Sequence, residues 1–135
     1  MLYFLVILFT ISIDCYYDMI KSAGGIPKAI PLQPTKSGII SSADWKLDPA
    51  EFEKLFSEKT KMLILNTPHN PLGKVFNMEE LSMIADLCKK WNVLVISDEV
   101  YEHMVFAPNQ HIRICTLPDM WERTLTIGSA GNEFI

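Results

Sequence analysis

Three short polar stretches carry the side chains best suited to chemistry. They read NTPHNPLG (residues 66–73), SDEVY (97–101) and GSAG (128–131), and each follows a short apolar run. Together they offer an amide, a carboxylate, a phenol and a hydroxyl beside several glycines. Groups of this kind can orient a heteroaromatic ligand and bind a phosphate.

Asp98 comes at the end of an apolar run, where a carboxylate is costly unless a cation or several hydrogen-bond donors accompany it. One use of such an anion is to keep a proton on a heteroaromatic nitrogen. The alternative, which composition alone favours, is that Asp98 caps the N-terminus of a helix beginning at Glu99. Tyr101, three residues later, would project to the same side on a first helical turn. Its hydroxyl could donate to a cofactor oxygen, although aromatic packing is the commoner role.

Asn70 and Ser129 are the other two candidates for ligand contacts. Asn70 lies with Asn66 in a proline-containing loop that cannot be helical, where an amide either presents a fixed donor or simply makes a turn. Ser129 lies among glycines, so its hydroxyl and the nearby backbone N–H groups could bind a phosphate. The sequence GSAG is a weak motif on its own.

A metal site is not predicted. Glu99 and His103 have the i, i+4 spacing of metal ligands on a helix, but no third ligand has a matching spacing. His69 and His111 lie in polar loops, and we expect no special role for either.

The elements that must position these residues alternate along the chain. Apolar runs predict strands at 26–32, 61–66, 93–97 and 124–128, and helices are predicted at 14–23, from Asp48 and from Asn77. Residues 33–46 are turn-rich and predict an exposed loop. Strands joined by long crossovers pair in parallel in an α/β domain. Ligands bind beyond the carboxyl ends of such strands, which is where the three polar stretches lie.

The composition agrees with one folded domain. The 135 residues are 49% apolar and 21% charged. A net charge of −4 argues against nucleic-acid binding, which favours basic surfaces. The three cysteines, Cys15, Cys88 and Cys115, are widely spaced, and we interpret them as reduced thiols that pack in the protein.

The first thirteen residues, MLYFLVILFTISI, carry no charge. They are shorter than the roughly 20 residues of a membrane-spanning helix, and they lack the basic start and cleavage site of a signal peptide. We expect a buried strand or helix here, with a short membrane anchor as the alternative.

Considered jointly, the polar stretches and their flanks resemble one family. NTPHNPLGKVF (66–76), ISDEVYEHMVF (96–106) and MWERTLTIGSAG (120–131) look like the large domain of class I aminotransferases that use pyridoxal 5′-phosphate. The similarity is greatest to kynurenine aminotransferases, also described as glutamine transaminase K or cysteine-S-conjugate β-lyase. DCYYDMIKSAGG (14–25) and SSADWKLDP (41–49) fit the same proteins. The resemblance covers residues 14–131.

The resemblance implies a fold, a cofactor and roles for individual residues. The fold would be α/β, a partial three-layer sandwich of the aspartate-aminotransferase-like (fold type I) large domain with a mostly parallel sheet. Asn70 and Tyr101 match residues that contact the phenolic oxygen of pyridoxal phosphate. Asp98 matches the aspartate paired with the pyridine nitrogen, and Ser129 matches a phosphate-binding serine. The substrates would be amino acids and 2-oxo acids, and the family forms homodimers.

The resemblance ends abruptly at Asn132. In the family, a lysine at this position forms the Schiff base with the cofactor and then moves the proton, and an amide can do neither. We therefore expect three parts: a divergent apolar segment (1–13), part of the cofactor-binding large domain (14–131) and a divergent end (132–135). Such a chain would be a piece of an aminotransferase, inactive alone and with its binding of pyridoxal phosphate weak or lost. The alternative is a non-catalytic regulatory or decoy partner of a full-length subunit. The expected compartment is the cytoplasm, with the mitochondrion as the alternative.

Overall fold

A computed structural model describes residues 4–10, 15–38 and 40–129. Three α-helices are described in this part of the chain: α1 (Cys15–Ser22), α2 (Pro49–Glu53) and α3 (Met78–Lys90). The strands are β1 (Leu5–Thr10), β2 (Ile26–Pro31), β3 (Gln33–Pro34), β4 (Trp45–Lys46), β5 (Thr60–Asn66), β6 (Leu94–Asp98) and β7 (Thr124–Ile127). Five of these strands form one sheet in the order β2-β1-β5-β6-β7, and every neighbouring pair is parallel.

The apolar N-terminal run contributes strand β1, in agreement with the expectation of a buried element. It pairs with β2 on one side and with β5 on the other, and four of its residues, Val6 to Phe9, are at most 2% exposed. A strand covered on both faces needs apolar side chains at every position, which is why this run shows no alternation. In the described residues, no helix is long and apolar enough to cross a membrane.

The helices cover the sheet from both sides. Tyr16 and Ile20 of α1 pack with Val6, Leu8 and Ile64 on one face. The other face packs against α2 and α3, with Ile7, Phe9, Leu63, Leu65 and Val95 meeting Phe52, Leu81, Ile84, Ala85 and Cys88. The molecule is therefore a three-layer α/β structure around a parallel sheet, as predicted.

Local sequence signals define the starts of α2 and α3. The Asp48 carboxylate accepts hydrogen bonds from the backbone N–H groups of Ala50 and Glu51, and Pro49 occupies the first helical position. Asn77 and Glu80 form a reciprocal capping box at the start of α3. Both helices begin where the sequence predicted.

Two expectations about less regular parts need correction. Residues 33–38 are exposed and residues 40–46 are exposed or half-buried, but β3 and β4 at the two ends of this stretch pair as a short antiparallel ladder. All three cysteines are free, but only Cys88 and Cys115 are buried, while Cys15 is exposed in the first turn of α1. Burial raises the pKa of the Cys88 thiol to about 12, so this sulfur stays protonated in the interior.

Candidate functional site

The carboxyl ends of β5 and β6 are joined by the side chain of Asn66. Its Nδ2 donates to the backbone carbonyl of Asp98 over 3.0 Å, and its Oδ1 accepts from the backbone N–H of Asn70 over 2.7 Å. Asn66 is 2% exposed, so both hydrogen bonds are shielded from water. One amide therefore holds the backbone of two candidate ligand-binding residues at a common edge.

The loop after β5 is closed on itself. The His69 N–H donates to the Lys74 carbonyl over 2.8 Å, and the Gly73 N–H donates to the His69 carbonyl over 2.7 Å. Gly73 has φ +64°, a left-handed conformation that a residue with a Cβ atom rarely adopts. These contacts hold Asn70 at the tip of a compact loop.

Asn70 and Tyr101 meet across the site, although they lie on different loops. The Asn70 Nδ2 donates to the Tyr101 hydroxyl oxygen over 3.1 Å. Both residues line a cleft of about 250 Å³ with His69 and Met104. The paired amide and phenol thus present polar groups to a space of small-molecule size.

Asp98 lies at the end of β6 and is 8% exposed. Its Oδ2 accepts a short hydrogen bond from the Tyr16 hydroxyl, and its Oδ1 accepts from the Val100 N–H over 3.3 Å. Residues 100–103 form turns rather than a helix, so the expectation that Tyr101 occupies a first helical turn is wrong. No helix follows β6 at this point. Asp98 therefore does not cap a helix beginning at Glu99, which was the alternative role for this residue.

Tyr16 is a residue of this site that the sequence did not reveal. It comes from α1, 82 positions before Asp98, and no local spacing connects the two. Burial, followed by the hydrogen bond to Asp98 and the charge of that carboxylate, raises the pKa of the Tyr16 phenol. The phenol therefore stays protonated and acts as the donor.

Strand register places Ser129 at the same edge. Asp98 of β6 is paired with Ile127 of β7, and the Glu99 N–H donates to the Ile127 carbonyl over 2.9 Å. Ser129 follows two residues later and is half-buried. Asn132 lies outside the described residues.

His69 departs from the expectation of a plain loop residue. It is 2% exposed, and neither ring nitrogen has a hydrogen-bond partner among the described residues. Burial, with a smaller contribution from the charge of Lys74, lowers its pKa to about 4, so the ring is neutral near pH 7. Buried polar groups without partners are rare, and strongly perturbed pKa values are concentrated at functional sites.

Glu99 is paired with His111 rather than with His103. The His111 Nε2 lies 2.8 Å from the Glu99 carboxylate, which also accepts from the Ser97 hydroxyl over 2.8 Å. Glu99, Glu102 and His111 come close enough to hold a metal ion, but the Arg113 guanidinium already donates to Glu102 over 3.0 Å. A second cation would face repulsion there, so this cluster is better described as an ion-pair network under the turn that carries Tyr101.

The family model described as aminotransferase class I and II matches residues 5–134. Kynurenine–oxoglutarate transaminase 3 of Homo sapiens is 57% identical over 131 residues, which cover 96% of this chain and 29% of that protein. Kynurenine–oxoglutarate transaminase 1 of Rattus norvegicus is 50% identical over 132 residues, which cover 96% of this chain and 31% of that protein. The chain spans about three tenths of the length of these curated relatives.

Solved structures show the same similarity. Bna3p from Saccharomyces cerevisiae matches with a TM-score of 0.91 at 43% identity, covering 97% of this chain and 32% of that one. The N-succinyldiaminopimelate aminotransferase from Mycobacterium tuberculosis matches with a TM-score of 0.86 at 36% identity, covering 95% and 32% of the two chains. The sheet and helices described above are thus those of fold type I aminotransferases.

Proposed function

The chain belongs to the class I and II aminotransferases, and we propose that it forms the part of a kynurenine transaminase that binds pyridoxal 5′-phosphate. The main observation behind this proposal is that Asn70, Asp98 and Tyr101 converge at one edge of the sheet. The names of the 50–57% identical relatives support kynurenine as the amino donor and oxoglutarate as the 2-oxo acid.

The residues at the edge fit this cofactor chemically. A buried carboxylate, Asp98, suits a protonated pyridine nitrogen, and the adjoining amide and phenol of Asn70 and Tyr101 suit the phenolic oxygen. Ser129, beside Gly128 at the end of β7, suits a phosphate. When bound, the cofactor supplies an electron sink for the bond that breaks in the amino-acid substrate.

Each residue performs a binding or proton-holding step in this proposal. Asp98 holds a proton on the ring nitrogen, because a carboxylate in a poorly hydrated site stabilises an adjacent cation strongly. Asn70 and Tyr101 already hydrogen-bond to each other, so they orient the phenolic oxygen with little loss of conformational freedom. The half-buried Ser129 anchors the other end of the ligand.

We propose further that this chain alone does not transaminate. By family resemblance, Asn132 stands where a lysine binds the cofactor covalently and transfers the substrate proton. An amide has no basic lone pair for that transfer and does not form an imine. The function proposed for the chain by itself is therefore cofactor binding without turnover.

A direct test is a fluorescence titration of the purified 135-residue chain with pyridoxamine 5′-phosphate, whose amine does not react with surface lysines. Saturable binding that Asp98→Asn weakens by about 10- to 100-fold is expected, since a hydrogen bond to a charged group contributes about 1.5–3 kcal/mol. Tyr101→Phe should have a smaller effect. Tyr17→Phe serves as the control, because Tyr17 lies on α1 and is 37% exposed. Binding that is indifferent to Asp98→Asn would refute the proposed site.

A second candidate function is that of a non-catalytic partner of a full-length transaminase subunit. The sheet face beyond α1 carries exposed apolar side chains on β6 and β7: Leu94 is 51% exposed, Leu125 62% and Ile127 41%. These residues continue an apolar face that is covered over β1 and β5, and such a surface favours association. After co-expression of this chain with a full-length kynurenine transaminase, we expect the two chains to co-purify. Recovery of the two chains in separate fractions would exclude this candidate.

A further inference from the structure

Tyr16 contacts Asp98 directly, although the two residues lie on separate elements. The Tyr16 hydroxyl at the start of α1 donates to Asp98 Oδ2 at the end of β6. We propose that Tyr16 is a positioning residue, which fixes the orientation of the Asp98 carboxylate toward the ring nitrogen of a bound pyridine cofactor. This inference rests on the proposed function and deepens it.

The two oxygens of the carboxylate are held by different parts of the chain. Oδ2 accepts from the Tyr16 phenol, and Oδ1 accepts from the Val100 N–H over 3.3 Å. Two donors on separate elements restrict rotation about the side-chain torsions of Asp98. A carboxylate offers about four lone-pair sites, so acceptor capacity remains for an N–H group of a ligand.

The phenol is itself held in place by packing. Tyr16 is 9% exposed and lies in an apolar cluster with Val6, Leu8, Ile20 and Ile64. An aromatic ring fixed between a helix and a strand pair has few alternative rotamers. The donor therefore occupies its position before any ligand binds, which is the condition for preorganising the acceptor.

The protonation states also favour this arrangement. Burial and the neighbouring Asp98 carboxylate raise the pKa of the Tyr16 phenol, so the proton stays on the tyrosine. The carboxylate then remains an acceptor, and its negative charge is available to a protonated ring nitrogen. A phenylalanine at position 16 would keep the packing and remove only the donor.

The adjacent tyrosine provides a matched control. Tyr17 is 37% exposed, and the Lys21 ammonium lies 5.4 Å from the centre of its ring. Tyr17→Phe also removes one phenol oxygen from α1, but it leaves the hydrogen bond between Tyr16 and Asp98 intact. Thermal melts of both variants should show cooperative transitions, because each substitution retains the ring.

The first measurement uses the free protein and needs no cofactor. The ¹³Cγ resonance of Asp98, assigned through its loss in Asp98→Asn, should move in Tyr16→Phe and stay in place in Tyr17→Phe. An unchanged resonance in Tyr16→Phe would show that the hydrogen bond from Tyr16 does not affect the environment of the Asp98 carboxylate. That result would overturn the inference.

The second measurement uses ¹⁵N-labelled pyridoxamine 5′-phosphate. Tyr16→Phe should weaken its binding about tenfold and shift the pyridine ¹⁵N resonance toward that of the unprotonated ring, while Tyr17→Phe leaves both unchanged. In an Asp98→Asn background, Tyr16→Phe should add less than a twofold effect, because the charged acceptor is gone. A merely structural role of Tyr16 would weaken binding equally in both backgrounds and would overturn the inference.

The outcomes separate this inference from the proposed function. If the wild-type chain does not bind the cofactor, both fail. If binding depends on Asp98 but not on Tyr16, the proposed function stands and the positioning role of Tyr16 fails.

Discussion

The side-chain amide of Asn66 donates a 3.0 Å hydrogen bond to the backbone carbonyl of Asp98, one strand away in the sheet. The other end of the same amide accepts from the Asn70 N–H over 2.7 Å. Asn66 contributes no group to the cleft that Asn70 and Tyr101 line. Its side chain instead links the loop after β5 to the end of β6, beside the backbone hydrogen bond from the Thr67 N–H to the same carbonyl.

Replacing Asn66 should therefore affect stability and ligand binding together. Asn66→Ala removes both hydrogen bonds; the Asp98 carbonyl keeps the Thr67 N–H as a donor, while the half-buried Asn70 N–H loses its side-chain acceptor, at a cost of about 1–3 kcal/mol. We expect a lower free energy of unfolding by urea and weaker binding of pyridoxamine 5′-phosphate. Asn109→Ala is the control, because Asn109 is exposed. A variant at Asn66 with unchanged affinity would show that the link does not position the site.

His69 should make the stability of the fold depend on pH. Burial lowers its pKa to about 4 from the ordinary 6.5. Between those values the unfolded chain binds a proton that the folded chain does not, so the free energy of unfolding falls as the pH falls from about 6.5 to 4. His69→Gln should flatten this dependence in urea titrations at pH 7, 5.5 and 4.5. His103→Gln, at a histidine whose side chain is 71% exposed, is the matched control, and equal flattening by both substitutions would contradict the role of His69.

The buried ion pair of Lys74 and Glu80 should be sensitive to the loss of one partner. The Lys74 side chain is 1% exposed, and its ammonium lies 2.8 Å from the Glu80 carboxylate. Glu80→Gln leaves that ammonium buried without its counter-charge, so we expect a loss of about 3–5 kcal/mol in the free energy of unfolding. Glu51→Gln breaks an exposed pair with Lys54 and should cost about 0–1 kcal/mol. Equal effects of the two substitutions would contradict this account.

The aromatic cluster between α2 and the sheet should contribute strongly to stability. Phe52 is fully buried, with ring centres 5.7 Å from Phe9 and 5.0 Å from Phe56. Phe52→Ala removes a large buried side chain, so a loss of about 3–5 kcal/mol is expected from the midpoint of urea unfolding. Phe106→Ala, at a residue that is 82% exposed, should change stability by less than about 0.5 kcal/mol. A Phe52→Ala variant as stable as Phe106→Ala would show that the cluster does not hold α2 on the sheet.

Position 132 offers a gain-of-function test. Asn132→Lys supplies the amine that the family resemblance places there, so incubation with pyridoxal phosphate followed by borohydride should label that lysine. Peptide mass spectrometry would locate the label. The wild-type chain should show no comparable label in the peptide that contains Asn132, and labelling spread evenly over surface lysines in the variant would contradict the assignment.

Signals between neighbouring residues predicted most of the fold. The caps at Asp48 and Asn77 act over two or three positions, so the starts of α2 and α3 could be recognised in the sequence. The parallel sheet followed from the order of apolar runs and crossovers, because chain connectivity restricts how such strands pair. The gathering of the three polar stretches at one edge followed from the same argument, whereas the roles of Asn70, Asp98, Tyr101 and Ser129 toward a cofactor stay predictions.

The contacts of individual polar side chains could not be predicted in this way. The partner of Asp98 is Tyr16, 82 residues away, and the partner of Glu99 is His111 rather than the helically spaced His103. The sequence predicts His69 to be a polar-loop residue with no special role, but its ring is buried without a partner among the described residues. Each of these facts depends on how α1 and the loops pack against the sheet. The apolar pattern and the helix caps therefore predicted the elements and their pairing, because these signals act between near neighbours in the sequence or are repeated along each strand. Hydrogen bonds between distant side chains need positions accurate to a few tenths of an ångström, and only the packed structure provides them.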